Sequence, residues 1–298
     1  MTSGNKAMPH IQLQNQNLRV QINSFGAEMH SFFDKKRNLE YLWQANPDYW
    51  ARHAPVLFPI IGRLVDDRLC HQGKTYPLTQ HGFARDMMFE RHQVNEDSVQ
   101  FRLHSSQVTL LKFPFDFELI IDYQLYAKQI KISHTIRNPQ NTPLPASIGG
   151  HPAFNWPLSP EIPKEKHVIL FEQEENAAIR QLENGLLLKA RFPNPVNQQQ
   201  LVLKDSLFEK DALIFDQINS HKLTYQATDD LSLTLRFSDF PQLGIWTKPG
   251  AGFICLEPWQ GYSSPCDFTG EFSQKPGILI IPAHSEIKKT YEISLGGV

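Results

Sequence analysis

The stretch ELIIDYQLYAKQIKISHTIR, residues 118–137, decides the fold class of this chain. Its apolar and polar side chains alternate, so every second residue falls on the same face of an extended strand. Such a strand buries one face and exposes the other, as strands of antiparallel sheets do. The same alternation recurs at Ile11 and Leu13, at Leu18, Val20 and Ile22, at Val99, Phe101 and Leu103, and at Leu231, Leu233, Leu235 and Phe237. The sequence therefore predicts an all-β protein, a large antiparallel β-sandwich.

Helical periodicity is scarce, and it favours helices only at residues 40–49 and 206–210. Proline cannot donate to a sheet ladder, so proline-rich segments between the alternating runs are predicted to be loops. These segments are residues 138–139, 143–145, 157–163 and 193–195. No composition shift or internal repeat divides the chain. We therefore expect one domain over residues 1–298, in which residues 1–10 form a disordered polar tail.

The composition excludes several classes of protein. The 298 residues include 29 basic and 31 acidic side chains, so the basic stripe of a nucleic-acid-binding protein is not expected. No run of 18 uncharged apolar residues predicts a membrane span, and the polar start does not resemble a secretory signal. Three cysteines are too few for a disulfide framework. We expect a cytoplasmic protein, a monomer or weak homodimer, without nucleic-acid or membrane partners.

Two histidines stand in loops that favour a functional role. If the segment around His81 is extended, its imidazole and the guanidinium of Arg85 share one face of a strand. His151 follows two glycines and precedes a proline, a context that presents a side chain at the end of a strand. Histidine is the usual proton-transfer residue near neutral pH. The alternative for either residue is a hydrogen-bonded structural histidine.

Glu257 follows the apolar run of residues 253–256, which predicts a strand that enters the core. A carboxyl group at the end of such a strand is partly desolvated, and burial raises its pKa towards that of a base at neutral pH. An ion pair with a buried arginine is the structural alternative. Trp259, and with it Trp156 or Trp246, could provide an apolar platform for a sugar ring.

The sequence offers little support for a metal site or a nucleotide site. His81, His151 and Glu257 match a set of two histidines and one carboxylate, but no local ligand spacing supports a metal. Phosphate-binding loops and the GxSxG nucleophile motif are missing from the sequence. The residues by themselves therefore predict an acid/base site in a β-sandwich.

Taken together, the polar motifs resemble the galactose mutarotase-like, or aldose 1-epimerase, family in its divergent LacX-like branch. They follow the family's order over residues 18–295, and the ordered set is far more specific than any one motif. The family's fold is one large β-supersandwich of antiparallel strands, in agreement with the alternation. The matching segments are Gly62-Arg63, His81-Gly82-Phe83-Ala84-Arg85, His151-Pro152-Ala153-Phe154-Asn155, Asp211-Ala212-Leu213-Ile214-Phe215 and Glu257-Pro258-Trp259.

The resemblance implies a role for each matching polar residue. Glu257 matches the general base that takes the proton from the anomeric hydroxyl, and His151 matches the general acid that protonates the ring oxygen. His81 matches a second histidine that hydrogen-bonds the sugar near that oxygen. The expected substrate-binding residues are Arg63, Arg85, Asp211 and Trp259, with Asp216 as the alternative to Asp211.

The implied reaction is the interconversion of hexose anomers by ring opening and closure. It moves one proton off the sugar and another onto it, so a carboxylate and an imidazole suffice and no cofactor or metal is expected. We expect Glu257 and His151 on opposite edges of a cleft, separated by a gap that the sugar fills. Arg63 and Arg85 are expected to line the same cleft as His81.

Two alternatives to a free hexose substrate remain open. The resemblance implies that classical mutarotases carry asparagine where this chain has Leu64, Thr79-Gln80 and Gly150, so its contacts with sugar hydroxyls are expected to differ from theirs. Arg63 and Arg85 could instead bind the phosphate of a hexose 6-phosphate. The third possibility is a carbohydrate-binding protein without turnover, although pure binding does not need a matched acid and base.

Overall fold

The computed structural model describes residues 10–296. Its strands are, in chain order, β1 (His10–Gln14), β2 (Leu18–Asn23), β3 (Glu28–Asp34), β4 (Leu39–Glu40), β5 (Val56–Leu57), β6 (Arg68–His71), β7 (Lys74–Pro77), β8 (Glu90–His92), β9 (Ser98–His104), β10 (Glu118–Tyr126), β11 (Gln129–Arg137), β12 (Leu144–Ala146), β13 (Ile148–Gly150), β14 (Ala153–Asn155), β15 (Val168–Phe171), β16 (Leu182–Glu183), β17 (Leu186–Leu187), β18 (Gln200–Val202), β19 (Leu213–Phe215), β20 (Lys222–Thr228), β21 (Leu231–Arg236), β22 (Gln242–Trp246), β23 (Phe253–Gln260), β24 (Leu279–Ile281) and β25 (Glu286–Leu295). The expected tail of residues 1–10 lies outside the described residues except for His10, which begins β1.

Helical structure is sparse, as the sequence predicts. One short α-helix, α1, spans Gln107–Leu110, and the 3₁₀ helices are Val65–Asp67, Ala84–Asp86, Lys164–Lys166, Asp205–Phe208 and Phe272–Gln274. Within the described part of the chain, no helix is both long and apolar enough to cross a membrane.

The predicted helix over residues 40–49 is wrong. Asn46 precedes Pro47, and the side chain of Asn46 accepts a hydrogen bond from the backbone N–H of Asp48, which closes a turn instead. The second candidate, residues 206–210, overlaps the 3₁₀ helix Asp205–Phe208. The proline segment at residues 143–145, predicted as a loop, contributes instead to the short strand β12.

The nine-stranded sheet contains the alternating stretch that decides the fold class. Its strand order is β18-β15-β20-β21-β25-β11-β10-β9-β8. In β10 and β11, Ile121 lies opposite His134, and Tyr123 lies opposite Ile132, all of them buried. Every pairing between named strands is antiparallel across residues 10–296, which confirms the all-β antiparallel prediction.

A six-stranded sheet, in the order β19-β22-β23-β13-β5 with β14 also paired to β23, supports the polar residues of interest. Strand β23 is buried on both faces from Phe253 to Trp259, because it is covered by other elements on both sides. Glu257 therefore lies within the strand rather than at its end, where the sequence placed it. A carboxyl group thus projects from the middle of an apolar strand.

The buried apolar side chains form one large cluster from Ile11 to Leu295 and two smaller ones. The smaller clusters flank the six-stranded sheet near β23. One contains Trp259, and the other contains Cys255 and packs against Trp50 and Trp246. These two clusters form the apolar surroundings of the candidate site.

Candidate active site

A cavity of about 440 Å³ opens beside the middle of β23. Six of the seven residues that the sequence assigned to the site line it: His81, Arg85, His151, Asp211, Glu257 and Trp259. The tertiary structure thus brings together groups that are up to 178 positions apart in the chain (259 − 81). Its volume lies within the range of about 300–1,000 Å³ that is common for small-molecule sites.

The ladder between β22 and β23 orients Glu257. Gly244 lies directly opposite Glu257, and a Cβ at Gly244 would lie 2.5 Å from the indole of Trp259. Only glycine therefore leaves room for that ring. The indole Nε1–H of Trp259 donates to Oε2 of Glu257 over 3.2 Å. The ladder thus positions the indole, and the indole fixes the carboxyl group.

His151 lies in the two-residue link between β13 and β14, where the sequence expected a side chain at the end of a strand. Its ring stacks on Trp50 with centroids 4.8 Å apart and an angle of 27° between the planes. Trp246 meets the same imidazole edge to face at 5.9 Å. These two indoles leave the His151 ring little freedom to rotate and shield it from water.

His151 and Glu257 are in direct contact. Nε2 of His151 lies 3.2 Å from Oε2 of Glu257, so the predicted gap between acid and base is wrong. The physical reason is burial: Glu257 is 1% exposed, and a carboxyl group so far from water needs a hydrogen-bond partner. We call His151 and Glu257 the cavity pair.

Burial also sets the protonation of the cavity pair. It raises the pKa of Glu257 well above the usual carboxyl value; the hydrogen bond from Trp259 opposes this rise, and the nearby charge of Asp211 adds to it. Burial, together with the cation of Arg85, lowers the pKa of His151 to about 3. Both directions favour a neutral pair in which the protonated carboxyl of Glu257 donates to the imidazole nitrogen of His151.

His81 is a hydrogen-bond donor to the cavity. Its Nδ1 accepts the backbone N–H of Gly62 at 3.1 Å, so in the neutral ring the proton is on Nε2. Burial, with the neighbouring His151 ring, lowers the pKa of His81 well below its usual range and keeps the ring neutral. A neutral imidazole with a fixed Nε2–H can donate to a ligand oxygen.

The segment around His81 is a turn and not an extended strand, so the strand geometry that would have put His81 and Arg85 on one face does not apply. His81 has φ of 64° and Gly82 has φ of 70°. A Cβ at Gly82 would lie 2.2 Å from the backbone oxygen of Phe58, so a larger residue cannot fit. Arg85 still reaches the cavity because the 3₁₀ helix Ala84–Asp86 returns it to the side of His81.

Two guanidinium groups form a basic edge of the cavity. Arg52 also lines the cavity, and it takes the close contact with Asp86 at 2.8 Å, whereas Nε of Arg85 stays 3.8 Å from that carboxylate. Nη2 of Arg85 donates to the backbone oxygen of Gln80, but its buried Nε has no hydrogen-bond partner among residues 10–296. Burial, and next the cation of Arg52, lowers the pKa of Arg85 to about 10. This edge favours an anionic or hydrogen-bond-accepting group.

Arg63 does not line the cavity, contrary to the sequence expectation. The left-handed turn at Asp66 and Asp67 returns the Asp67 carboxylate to the guanidinium of Arg63, where Nε and Oδ1 are 2.9 Å apart. Nη1 of Arg63 donates to the backbone oxygen of Asn184. This bidentate ion pair holds the side chain outside, while the adjacent Gly62 lines the cavity.

The ambiguity between Asp211 and Asp216 has a geometric answer. Asp211 lines the cavity, and its Oδ1 accepts the backbone N–H of Ala212. Asp216 contacts Arg180 and Arg191 instead, at 3.3 Å and at 2.9 Å. Asp211 is therefore the aspartate that a bound molecule would meet.

Several lining residues escaped the sequence analysis. Trp50 and Arg52 line the cavity just after the segment wrongly predicted as helical. The Asn46-Pro47 pair in that segment indicates a turn. Ser263 also lines the cavity, and a Cβ at Gly62 would overlap its hydroxyl. Trp156, a candidate platform, lies in the core and is 1% exposed.

The sequence predicts no metal site, and the donor atoms that the structure groups together differ from the two histidines and one carboxylate that the sequence offered. The ligand atoms of His151, Cys255 and Glu257 lie within 4.8 Å of one another. His81, the expected second histidine, is not part of this group, and its Nδ1 is already engaged by Gly62. Cys255 takes its place because it lies two residues before Glu257 on the same face of β23.

Comparison with solved structures places this architecture in a known class. A galactose mutarotase related enzyme from Lactobacillus acidophilus is similar with a TM-score of 0.90 and 30% identity, covering 97% of this chain and 98% of that one. A galactose mutarotase-like protein from Lactobacillus casei has a TM-score of 0.88 and 30% identity, covering 97% and 100%. The fold is thus a galactose mutarotase-like β-sandwich.

Sequence comparison then gives the family. The family model for aldose 1-epimerase matches residues 9–279. The chain is also 36% identical over 296 residues to the chromosomal protein LacX of Lactococcus lactis, covering 96% of this chain and 99% of LacX. This chain belongs to the aldose 1-epimerase family.

Proposed function

We propose that the protein interconverts the α and β anomers of a hexose by general acid/base catalysis of ring opening and closure. The observation that carries this proposal is the contact of Glu257 with His151 inside a cavity suited to a small molecule. Ring opening needs one group that accepts a proton and another that donates one, and the cavity pair supplies both.

The proton balance of the reaction fits the pair. Glu257 takes the proton from the anomeric hydroxyl while His151 gives a proton to the ring oxygen, which breaks the bond between that oxygen and C1. This step starts from the ionised pair, which forms when Glu257 passes its proton to His151 across their 3.2 Å contact, and it ends with the neutral pair that burial favours. Rotation about C1–C2 and the reverse transfers close the ring on its other face. No proton or electron is consumed.

Other lining residues provide the contacts that orient the sugar. The Nε2–H of His81 donates to a sugar oxygen near the reacting bond, and the carboxylate of Asp211 accepts from sugar hydroxyls. The indole of Trp259 supplies an apolar surface beside Glu257. These contacts would hold the anomeric centre against the cavity pair.

The direct test is anomer exchange followed by polarimetry and by NMR of the anomeric protons over a panel of hexoses. The spontaneous exchange in buffer is subtracted for each sugar. We expect acceleration for at least one hexose in proportion to the enzyme concentration. Exchange at the spontaneous rate for the whole panel, with protein shown to be folded, would contradict the proposal.

A hexose 6-phosphate is a second candidate substrate, and the basic edge of the cavity favours it. Two guanidinium groups, from Arg52 and Arg85, share the single carboxylate of Asp86 there. The unpaired Nε–H of Arg85 is a buried donor, and a phosphate oxygen would satisfy it.

Substitution of Arg85 separates the two substrates. A charged hydrogen bond contributes about 1.5–3 kcal/mol, so Arg85→Gln should lower kcat/KM for a hexose 6-phosphate by about 10–100-fold. The effect on the neutral hexose should be much smaller. Arg63→Gln is the matched comparison, because its guanidinium is paired with Asp67 outside the cavity. Equal losses on both sugars in Arg85→Gln would exclude the phosphate role.

A further inference from the structure

The thiol of Cys255 lies beside the cavity pair. Cys255 and Glu257 are two residues apart in β23, so their side chains point to the same face of the strand. His151 approaches that face from the link between β13 and β14. The three ligand atoms, one nitrogen, one sulfur and one oxygen, all lie within 4.8 Å of one another.

We propose that His151, Cys255 and Glu257 form a binding site for a soft divalent cation such as Zn²⁺ or Cd²⁺, and that the bound cation inhibits the enzyme. The proposed cation binding does not depend on the proposed function. The inhibition part rests on the proposed function, because the metal would occupy the atoms that move the protons.

The spacing of the three atoms suits a tetrahedral cation. Zinc bonds of about 2.0–2.3 Å place neighbouring ligand atoms about 3.3–3.8 Å apart. The separation of 3.2 Å between His151 and Glu257 already lies close to this range. The sulfur of Cys255 lies at most 4.8 Å from the other two ligand atoms, so side-chain rotations that move it by about 1 Å bring it to a tetrahedral ligand spacing. His151 and Glu257 line the cavity, so the fourth position of the metal faces a bound molecule or water.

Charge also favours a divalent cation at this buried place. The cation replaces one proton on the thiol and one on the carboxyl group, so two protons leave as two positive charges arrive. The complex of one thiolate, one carboxylate and one neutral imidazole with a dication has no net charge. An uncharged complex avoids the desolvation cost that opposes a lone buried ion.

The ligand set determines which cations bind. Thiolate and imidazole select Zn²⁺ and Cd²⁺, whereas Mg²⁺ and Ca²⁺ prefer sets of oxygen atoms. The other two cysteines do not belong to this cluster: Cys70 is half-buried and Cys266 is exposed. They must be removed before a thiolate signal can be assigned to Cys255.

The test uses the full chain with Cys70→Ala and Cys266→Ala, in which Cys255 is the remaining thiol. Titration with CdCl₂ should produce the near-ultraviolet charge-transfer band of a cadmium thiolate, and MgCl₂ should not. Adding Cys255→Ser, which keeps the size of the side chain, should abolish the band; Cys255→Ala is the second variant if the serine protein does not fold. Glu257→Gln should weaken Cd²⁺ binding at least about tenfold.

The activity readout is anomer exchange with and without ZnCl₂ in the same protein. We expect loss of activity that a chelator reverses, and much weaker inhibition in Cys255→Ser. A missing cadmium band in the folded protein with Cys255 alone, or a band that survives Cys255→Ser, would overturn the site. A Cys255-dependent band in a protein without any exchange activity would support the cation site and contradict the proposed function.

Discussion

Two buried carboxyl groups in this protein have opposite surroundings. The side chain of Asp216, 7% exposed, contacts Arg180 at 3.3 Å and Arg191 at 2.9 and 3.0 Å. Glu257 is 1% exposed, and its close polar contacts among residues 10–296 are with the imidazole of His151 and the indole of Trp259. Two cations stabilise an anion at Asp216, whereas burial raises the pKa of Glu257, which has no guanidinium or ammonium partner in the described part of the chain.

Asp216 is an ion-paired carboxylate, whereas Glu257 is a carboxyl group that lines a cavity. We call Asp216, Arg180 and Arg191 the ion-pair cluster. A carboxylate whose oxygens are occupied by two guanidinium groups has little capacity left to contact a ligand. A carboxyl group held by one indole and one imidazole beside a cavity can exchange its proton and contact a substrate. Burial was common to both, and the charge of the partners made the difference.

The largest effect should follow from removing the cavity pair. Glu257→Gln keeps the size of the side chain but removes the base, so anomer exchange should fall about 10²–10⁴-fold. His151→Asn should act similarly, and the double variant should be little worse than either single one because the two groups act as a unit. Polarimetry with subtraction of the spontaneous rate measures all three. Undiminished exchange by folded Glu257→Gln would end the assignment of the base.

Substitution in the ion-pair cluster should lower the stability of the protein more than substitution in the cavity pair does. Asp216→Asn leaves two guanidinium groups without their carboxylate, and we expect a loss of about 2 kcal/mol in the free energy of unfolding because Arg191 is partly exposed. Glu257→Gln should change that free energy by less than about 1 kcal/mol, since glutamine replaces a neutral carboxyl group. Urea denaturation of both variants gives the comparison. A larger loss for Glu257→Gln than for Asp216→Asn would mean that Glu257 is charged.

Two buried histidines sharpen the contrast through pH. Burial lowers the pKa of His134, in β11, and of His151 to about 3 from 6.5. The unfolded chain therefore binds protons at higher pH than the folded one, and stability falls as the pH drops from 6.5 towards 3. The slope is about 1.4 kcal/mol per pH unit for each histidine.

The unfolding free energy, measured between pH 6.5 and 4.5, should depend less steeply on pH in His134→Asn and in His151→Asn. Each variant should lose the contribution of one histidine, about 1.4 kcal/mol per pH unit. Only His151→Asn should also affect anomer exchange, because His134 packs against Phe240 and Tyr291 and does not line the cavity. An unchanged slope in His134→Asn would show that this ring is not held neutral by burial. A loss of activity in a folded His134→Asn protein would contradict the separation of structural and reactive sites.

Much of the fold could be predicted because strand periodicity is a local property. The alternation at residues 118–137 corresponds to β10 and β11 with the expected apolar face buried, although Ile120, Ser133 and Thr135 on the other face are buried as well. The predicted helix over residues 40–49 is wrong because Asn46-Pro47 closes a turn there, although a few apolar residues recur at helical spacing. Tertiary contacts of Trp50 with His151 then placed the following segment at the cavity.

The site was predictable in its residue types and not in its contacts. Ordered motifs identified His81, His151 and Glu257, yet sequence periodicity could not show that Glu257 lies in the middle of β23. Arg63 was expected at the sugar, but the left-handed turn at Asp66 and Asp67 pairs it elsewhere. The direction in which a long side chain points depends on which partners lie within its reach. Turns and neighbouring elements of the folded chain determine those partners.

The sequence by itself determined the all-β class and the order of the motifs that mark the family. Only the tertiary structure decided that His151 and Glu257 touch, that Arg52 joins Arg85, and that Cys255 lies beside the cavity pair. The physical reason is that local patterns report which face of a strand is buried. Contacts between residues 106 positions apart (257 − 151), and the protonation that burial imposes on them, arise only when the sheets pack.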